Sequence, residues 1–462
     1  MTLFEIELRL KGRSNRRGWS ALVGMKEQKD SDGETRRLGD GATRRRVSGS
    51  LLSAAFFWFA LALTSTAHEP ITTKVRFNKE LVRILQRNCL SCHHAGGLAF
   101  SLATYDEARP WAKAIKEEVL EKRMPPWSAV KGYGDFSNAP KLTQRDVDLI
   151  VNWVEGGAPR GDDKDLPSEP LFSNDWPLGK PDLILNPEVE SVIAAGADEY
   201  RTFTLSTSPK EDRWLTAVDV LPGNASVVHC ATVYLLKSEE SPQPGATMMQ
   251  VKGEAAESRG SSDALRNSRV LAVWIPGQKP AAFEPGTAQP LPAGVRLAVK
   301  LHYRGTNEPA KDLSSVGLYF SKTPPRRRVS EIAINTDAII IASTQPQRVV
   351  SSFTAQADTE AIAIRPSSQP SITSLQATAY RPDGSQEVLI WVRGHQSDWQ
   401  ATYYFKRAVG LAKGTRVEII AYIDGSDENS NDGSKPVRWS DISNQPLCTV
   451  LISSVDAPTS PR

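Results

Sequence analysis

Sulfur and imidazole are scarce in this chain: 4 cysteines, 5 methionines and 6 histidines stand among 462 residues. So few cysteines exclude a disulfide-stapled scaffold. Cys230 and Cys448 lie far apart in sequence, and no disulfide is expected between them. Charge of one sign is also lacking. The net charge of +3 includes the many arginines of the N-terminal region and offers no case for nucleic acid. The length supports about three domains.

Two of the cysteines sit in Cys89-Leu90-Ser91-Cys92-His93. This C-x-x-C-H run is the attachment signature of a c-type haem. Two thiols three apart on one helical turn share a face, so each can form a thioether to one vinyl group of a porphyrin. His93 lies one turn beyond Cys89 and can supply the proximal axial ligand. A redox dithiol would want a βαβ context, and a zinc site would want a second Cys/His pair nearby; neither is visible. The neighbouring His94 points about 100° away and cannot ligate the same iron.

Met124 is the expected sixth ligand. It stands in Arg123-Met124-Pro125-Pro126-Trp127, about thirty residues after the motif, and methionines are few. The two prolines keep this stretch extended, which suits a thioether held over a porphyrin face. Met/His ligation belongs to electron-transfer cytochromes and raises the reduction potential. The alternative is a methionine that fills a helix–loop junction.

The flanks predict helices. Phe77, Leu81, Ile84 and Leu85 form an apolar face running into Cys89. Pro110 predicts a helix start, with Trp111, Ile115 and Val119 on one side. Thr143-Gln144-Arg145-Asp146 predicts a capping box, followed by the stripe Leu149, Ile150, Trp153, Val154 and a Gly156-Gly157 stop. Residues 69–162 resemble a class I cytochrome c domain. The resemblance implies a small all-α domain with Cys89 and Cys92 as thioether donors and His93 and Met124 as iron ligands.

Such attachment occurs outside the cytoplasm, so export is expected. Residues 47–67 carry no charge, follow Arg44-Arg45-Arg46 and end in the small residues Ser65-Thr66-Ala67. They predict a signal peptide, or an anchor in the membrane if uncleaved. Residues 1–46 read as a disordered basic extension, consistent with a start site assigned too far upstream.

From Pro170 the texture changes to alternating strands punctuated by Pro and Gly, as in residues 201–205, 214–220 and 295–303. About 285 residues of this kind predict two antiparallel β-sandwich, jelly-roll-like domains, 170–325 and 326–457, divided near Pro324-Pro325-Arg326-Arg327-Arg328.

The stretches Val227–Leu235, Leu301-His302-Tyr303, Val316–Phe320, Arg381-Pro382-Asp383-Gly384 and Trp399–Tyr403 resemble, in their order, the copper type II ascorbate-dependent monooxygenases. That resemblance implies two single-copper sites, one per sandwich. For the first site, His229 matches one histidine of a His-His pair, Cys230 replaces the second, and His302 matches the strand histidine. The second site has lost its ligands: Ser371–Tyr380 holds no histidine, and Leu447 and Cys448 stand near where a methionine should fall. His395 is alone in the last domain.

His229, Cys230 and His302 make a His₂Cys set that suits one copper ion. Against this, Cys230 in a regular strand faces away from His229, and the three are then ordinary interior residues. Met248 and Met249 could approach from a loop. The expected protein is an exported, periplasmic or secreted, monohaem c-type cytochrome with a redox partner protein, fused to a degenerate copper-monooxygenase-like double sandwich. Two alternatives stay open: an active copper- and haem-dependent monooxygenase, and a non-enzymatic module binding a protein or glycan.

Overall fold

The computed structural model describes residues 72–457, apart from 171, 173–174, 206–208, 237–246, 251–264, 266–267, 281, 338, 341–345, 370, 395–398, 424–436 and 439–445. The basic extension 1–46, the apolar stretch 47–67 and His395 therefore lie outside the described residues. So do the side chains of Met248 and Met249. Among the described residues, no helix is long and apolar enough to cross a membrane.

The N-terminal third folds around short helices: α1 (Val82–Asn88), α2 (Tyr105–Ala108), α3 (Ala112–Leu120) and α4 (Gln144–Glu155). A π-helical turn, Phe77–Leu81, leads into α1. The capping box opens α4: Thr143 Oγ1 accepts from the Asp146 amide, and the Asp146 carboxylate accepts from the Thr143 amide. A second box, Thr104 with Glu107, opens α2, and Pro110 sits in a 3₁₀ turn joining α2 to α3. Phe77, Leu81, Ile84, Leu85, Ile150 and Trp153 fill one core, and Trp153 Nε1–H donates to the Pro159 carbonyl at 3.0 Å.

The remainder is β-sheet. Strands β1 (Leu183–Leu185), β2 (Asp198–Leu205), β3 (Arg213–Leu221), β4 (Val228–Leu235), β5 (Arg269–Trp274), β6 (Thr287–Leu291), β7 (Leu297–Arg304) and β8 (Ser315–Phe320) build a first unit. Strands β9 (Arg327–Thr336), β10 (Gln347–Thr354), β11 (Thr359–Ser368), β12 (Ile372–Tyr380), β13 (Gln386–Arg393), β14 (Tyr403–Leu411), β15 (Arg416–Ile423) and β16 (Cys448–Asp456) build a second. In the first unit β2-β7-β4-β5, flanked by Thr247–Gln250, form a five-stranded sheet; in the second, β10-β15-β12-β13 form a four-stranded one. Both pack on one continuous eight-stranded sheet, ordered β1-β8-β3-β6-β9-β16-β11-β14. Each unit has its own apolar core.

This architecture corrects the expected fold class of a small all-α domain followed by two separate sandwiches. Strand dominates the described residues, and the helical segment is not self-contained. After α3 the chain leaves the helices and joins the second β unit. Ala129 bridges Val392 and Phe136 bridges Phe405. Trp127, Ala129 and Phe136 enter the core built by β11, β12 and β16. The reason is apolar surface: a loop carrying Trp127 and Phe136 finds a core to bury them only on the sheet. The expected break at Pro324–Arg328 is also bridged, because β9 begins at Arg327 and pairs in parallel with β6, Arg327 with Thr287 and Arg328 with Ala288.

Where the two units meet, a cavity of about 20 Å³ is lined by Asp219, Trp274, Gln278 and Tyr404. Asp219 is buried; its Oδ1 accepts from the Val220 amide at 2.8 Å, and its Oδ2 has no partner. Burial pushes its carboxyl up to about 6.

Candidate functional site

Two clusters carry the chemistry. The first is the turn that ends α1. The Cys89 amide closes the helix on the Leu85 carbonyl, and the amides of Cys92 and His93 both return to the Cys89 carbonyl, at 3.1 and 3.0 Å. Residues 89–93 thus form a single tight turn with both thiols free. Burial, then the neighbouring Cys92, pushes the Cys89 thiol up to about 12; burial also raises Cys92. A dithiol that works by thiolate attack needs the opposite shift.

His93 is fixed by its own chain. Its Nδ1–H donates to the carbonyl of Phe100 at 3.1 Å. Only the Nδ1–H tautomer makes that bond, so Nε2 keeps its lone pair for a metal. Phe100 also meets the imidazole edge-on at 5.0 Å and stacks on Trp111. Burial lowers the basicity of His93, which keeps the ring neutral. His94 turns elsewhere: it stacks on Phe172 at 4.0 Å. Met124 is half-buried just beyond α3, its amide bonded to the Glu118 carbonyl. Two free thiols on one turn, beside an imidazole with Nε2 available, fit the chemistry of covalent haem attachment.

The β5–β6 turn abuts this motif. Gly277 has φ +77°, and a Cβ there would stand 2.9 Å from Cys92 Sγ and 2.8 Å from Ser91 Oγ. Glycine is required on both counts. The next residue, Gln278, donates to the Thr402 carbonyl at 3.1 Å. The haem-motif turn, the first β unit and the second therefore meet at one short loop.

The second cluster is His229, Cys230 and His302, whose ligand atoms all lie within 4.8 Å of one another. The expectation that Cys230 faces away from His229 fails for a specific reason. On β4 the pairing runs Val228 with Tyr303 and then Cys230 with His302, so His229 is an extra residue. This β-bulge breaks the alternation and re-aims adjacent side chains to one side. His302 Nε2 bonds Asp198 Oδ1 at 2.7 Å, a carboxylate–histidine pair that leaves Nδ1 as the ligating nitrogen. His229 is buried, its Nδ1 has no hydrogen-bond partner, and its ring lies 4.8 Å from that of His302. Burial, with the Arg304 charge, holds His229 down to about 2, so it is neutral. Two imidazoles and a thiol are a soft N₂S donor set that fits copper or zinc.

Among the described residues this is the one group of three or more metal-ligating side chains so arranged. Where a second copper would be held, Leu375, Ala377 and Ala379 of β12, with Leu447 and Cys448, are packed into the core.

No protein family matches its sequence, and no curated protein does. Among solved structures it is similar to the major capsid protein P2 of bacteriophage PM2, at 9% identity over 60% of this chain and 98% of that one, with a TM-score of 0.23. The infectious bursal disease virus VP2 subviral particle follows at 9% identity, 62% and 75% coverage and a TM-score of 0.17. The CBM22-1–CBM22-2 tandem domain of Paenibacillus barcinonensis Xyn10C gives 8% identity, 59% and 83% coverage and a TM-score of 0.13. None of these similarities bears on what the chain does.

Sequence reasoning missed Asp198, the Phe100 carbonyl and Gly277. Asp198 faces His302 only through the β2–β7 register, which pairs Tyr200 with His302, and nothing local signals it.

Proposed function

We propose that the protein is an exported single-electron carrier. Cys89, Cys92 and His93 would hold haem c, and His229, Cys230 and His302 would hold one copper ion. The observation that carries the haem reading is the His93 Nδ1–H bond to the Phe100 carbonyl, which frees Nε2 beside two reduced cysteines on one turn. Bound there, haem c supplies reversible one-electron chemistry. Cys89 and Cys92 would anchor the group, His93 and Met124 would hold its iron, and Phe100 sets the ring of His93. At the second site Asp198 orients His302, and the β4 bulge presents His229 and Cys230 together. With a single such cluster among the described residues, the oxygen-inserting reading has less support than electron transfer.

The deciding experiment is a pyridine haemochrome spectrum of protein made in a host with the haem-attachment machinery. A spectrum without thioether-linked haem rejects the proposal. Met124→Ala should abolish the sulfur-to-iron charge-transfer band of the ferric form and lower the potential. An unchanged spectrum would assign the sixth ligand elsewhere. His302→Ala should cut copper bound per chain from one to near zero, measured by elemental analysis after equilibrium dialysis; equal uptake by wild type and variant would make the cluster structural.

A further inference from the structure

The His229–Cys230–His302 cluster does not belong to the first β unit alone. Cys230, on β4 of that unit, packs against the core of the second. So does Trp399, from the chain between β13 and β14. The Trp399 ring meets the His229 ring edge to face, with centroids 5.2 Å apart and planes at 80°. The Ala401 amide donates to the Trp399 carbonyl at 3.1 Å, a tight turn beside the indole. The second unit thus lays one aromatic ring against a ligand of the candidate metal site.

Two buried nitrogens at this contact have no hydrogen-bond partner among the described residues: His229 Nδ1 and Trp399 Nε1. They differ in kind. An imidazole nitrogen can give its lone pair to a metal. An indole N–H is a donor only, and a buried one ordinarily finds an acceptor. A cation cannot be that acceptor, but a ligand on the cation can. The cluster offers three protein donors. Copper and zinc sites built on three such donors leave a further position to a small exogenous ligand. A coordinated thiol is deprotonated, so a divalent metal keeps one positive charge there. Asp198 bonds the opposite edge of His302, away from the ligating nitrogen. Charge therefore favours an anion in the open position.

We propose that this site takes a small monovalent anion as the fourth ligand of its metal, with the Trp399 indole N–H donating to it. The inference rests on the metal reading of the cluster and adds to it a ligand class and a residue of the second unit. The metal ligands come from one β unit and the hydrogen-bond donor from the other, so anion affinity depends on how the two units dock. The haem turn contributes nothing to it.

The test is azide titration of the full chain loaded with Cu(II), followed by the azide-to-copper charge-transfer band and the copper EPR signal. A parallel titration uses the Co(II)-loaded chain, whose metal a thiolate does not reduce. Saturable binding of one azide per metal is expected. Trp399→Phe keeps an aromatic ring against His229 and removes the N–H. It should bind the same amount of metal and weaken azide about fivefold, the worth of one ordinary hydrogen bond. The inference is overturned if the metal loads and azide changes neither spectrum, because the chain itself then fills the fourth position. It is overturned equally if Trp399→Phe holds azide as tightly as the wild type, which would place the indole N–H on the imidazole face instead. A chain that takes up neither metal overturns the metal reading, and the inference with it, before azide is added.

Discussion

Replacing Cys89 and Cys92 together by alanine should abolish covalent haem, with the haem stain lost from denaturing gels, while the β units remain folded. The two thiols sit on one local turn held by backbone bonds to Leu85 and Cys89 carbonyls, so the backbone does not depend on them. Cys89 packs at the margin of the helical core, and truncating one sulfur there costs on the order of 1 kcal/mol. The effect on attachment is all-or-none, because a thioether has no substitute. A single Cys92→Ala should leave one thioether, displaced in the haemochrome spectrum toward that of a single-linked haem. Retention of covalent haem by the double variant would show that the chain is modified elsewhere.

Asp219→Asn should stabilise the protein above pH 6 by about 2 kcal/mol and have little effect near pH 4. Burial lifts the Asp219 carboxyl to about 6 from an ordinary value near 4, a difference of about 3 kcal/mol between its protonated and ionised forms. A carboxyl raised in the folded state favours folding while both states are protonated, below about pH 4. That contribution is lost as pH rises through about 6, and above it the folded protein holds an unpaired interior charge. Asparagine keeps an oxygen for the Val220 amide, and the cavity beside it has room for a water to meet the new amide. Urea midpoints at pH 4.5 and 7.5 check this: the gain should appear only at the higher pH. A loss at pH 7.5 would mean that ionised Asp219 is compensated in the fold.

What could be read from the residues was local. The Thr143–Asp146 box and the alternating strands depend on neighbours within a few positions, and each formed as its pattern dictates. What could not be read depends on register. Cys230 was expected to face away from His229 because a regular strand alternates, and only the pairing of Cys230 with His302 reveals the inserted residue. The segment 127–139 follows Pro125-Pro126 and carries Gly132 and Gly134. Nothing local says that Ala129 and Phe136 will pair with residues more than 250 positions away.

That long-range clasp orders events in time. The apolar contacts of the helical core around the 89–93 turn lie between residues 75 and 158, and can assemble before the far more distant clasp pairings. The clasp needs β13 and β14, among the last strands to leave the ribosome. Cys89 and Cys92 therefore have an interval in which their turn exists but Trp127 and Phe136 have not yet been drawn onto the sheet. Under the proposed haem attachment, thiols that a maturation enzyme must reach benefit from such a delay. An accelerated clasp, for instance one tethered by an engineered Ala129–Val392 disulfide, should lower the yield of haem-bearing protein relative to total protein.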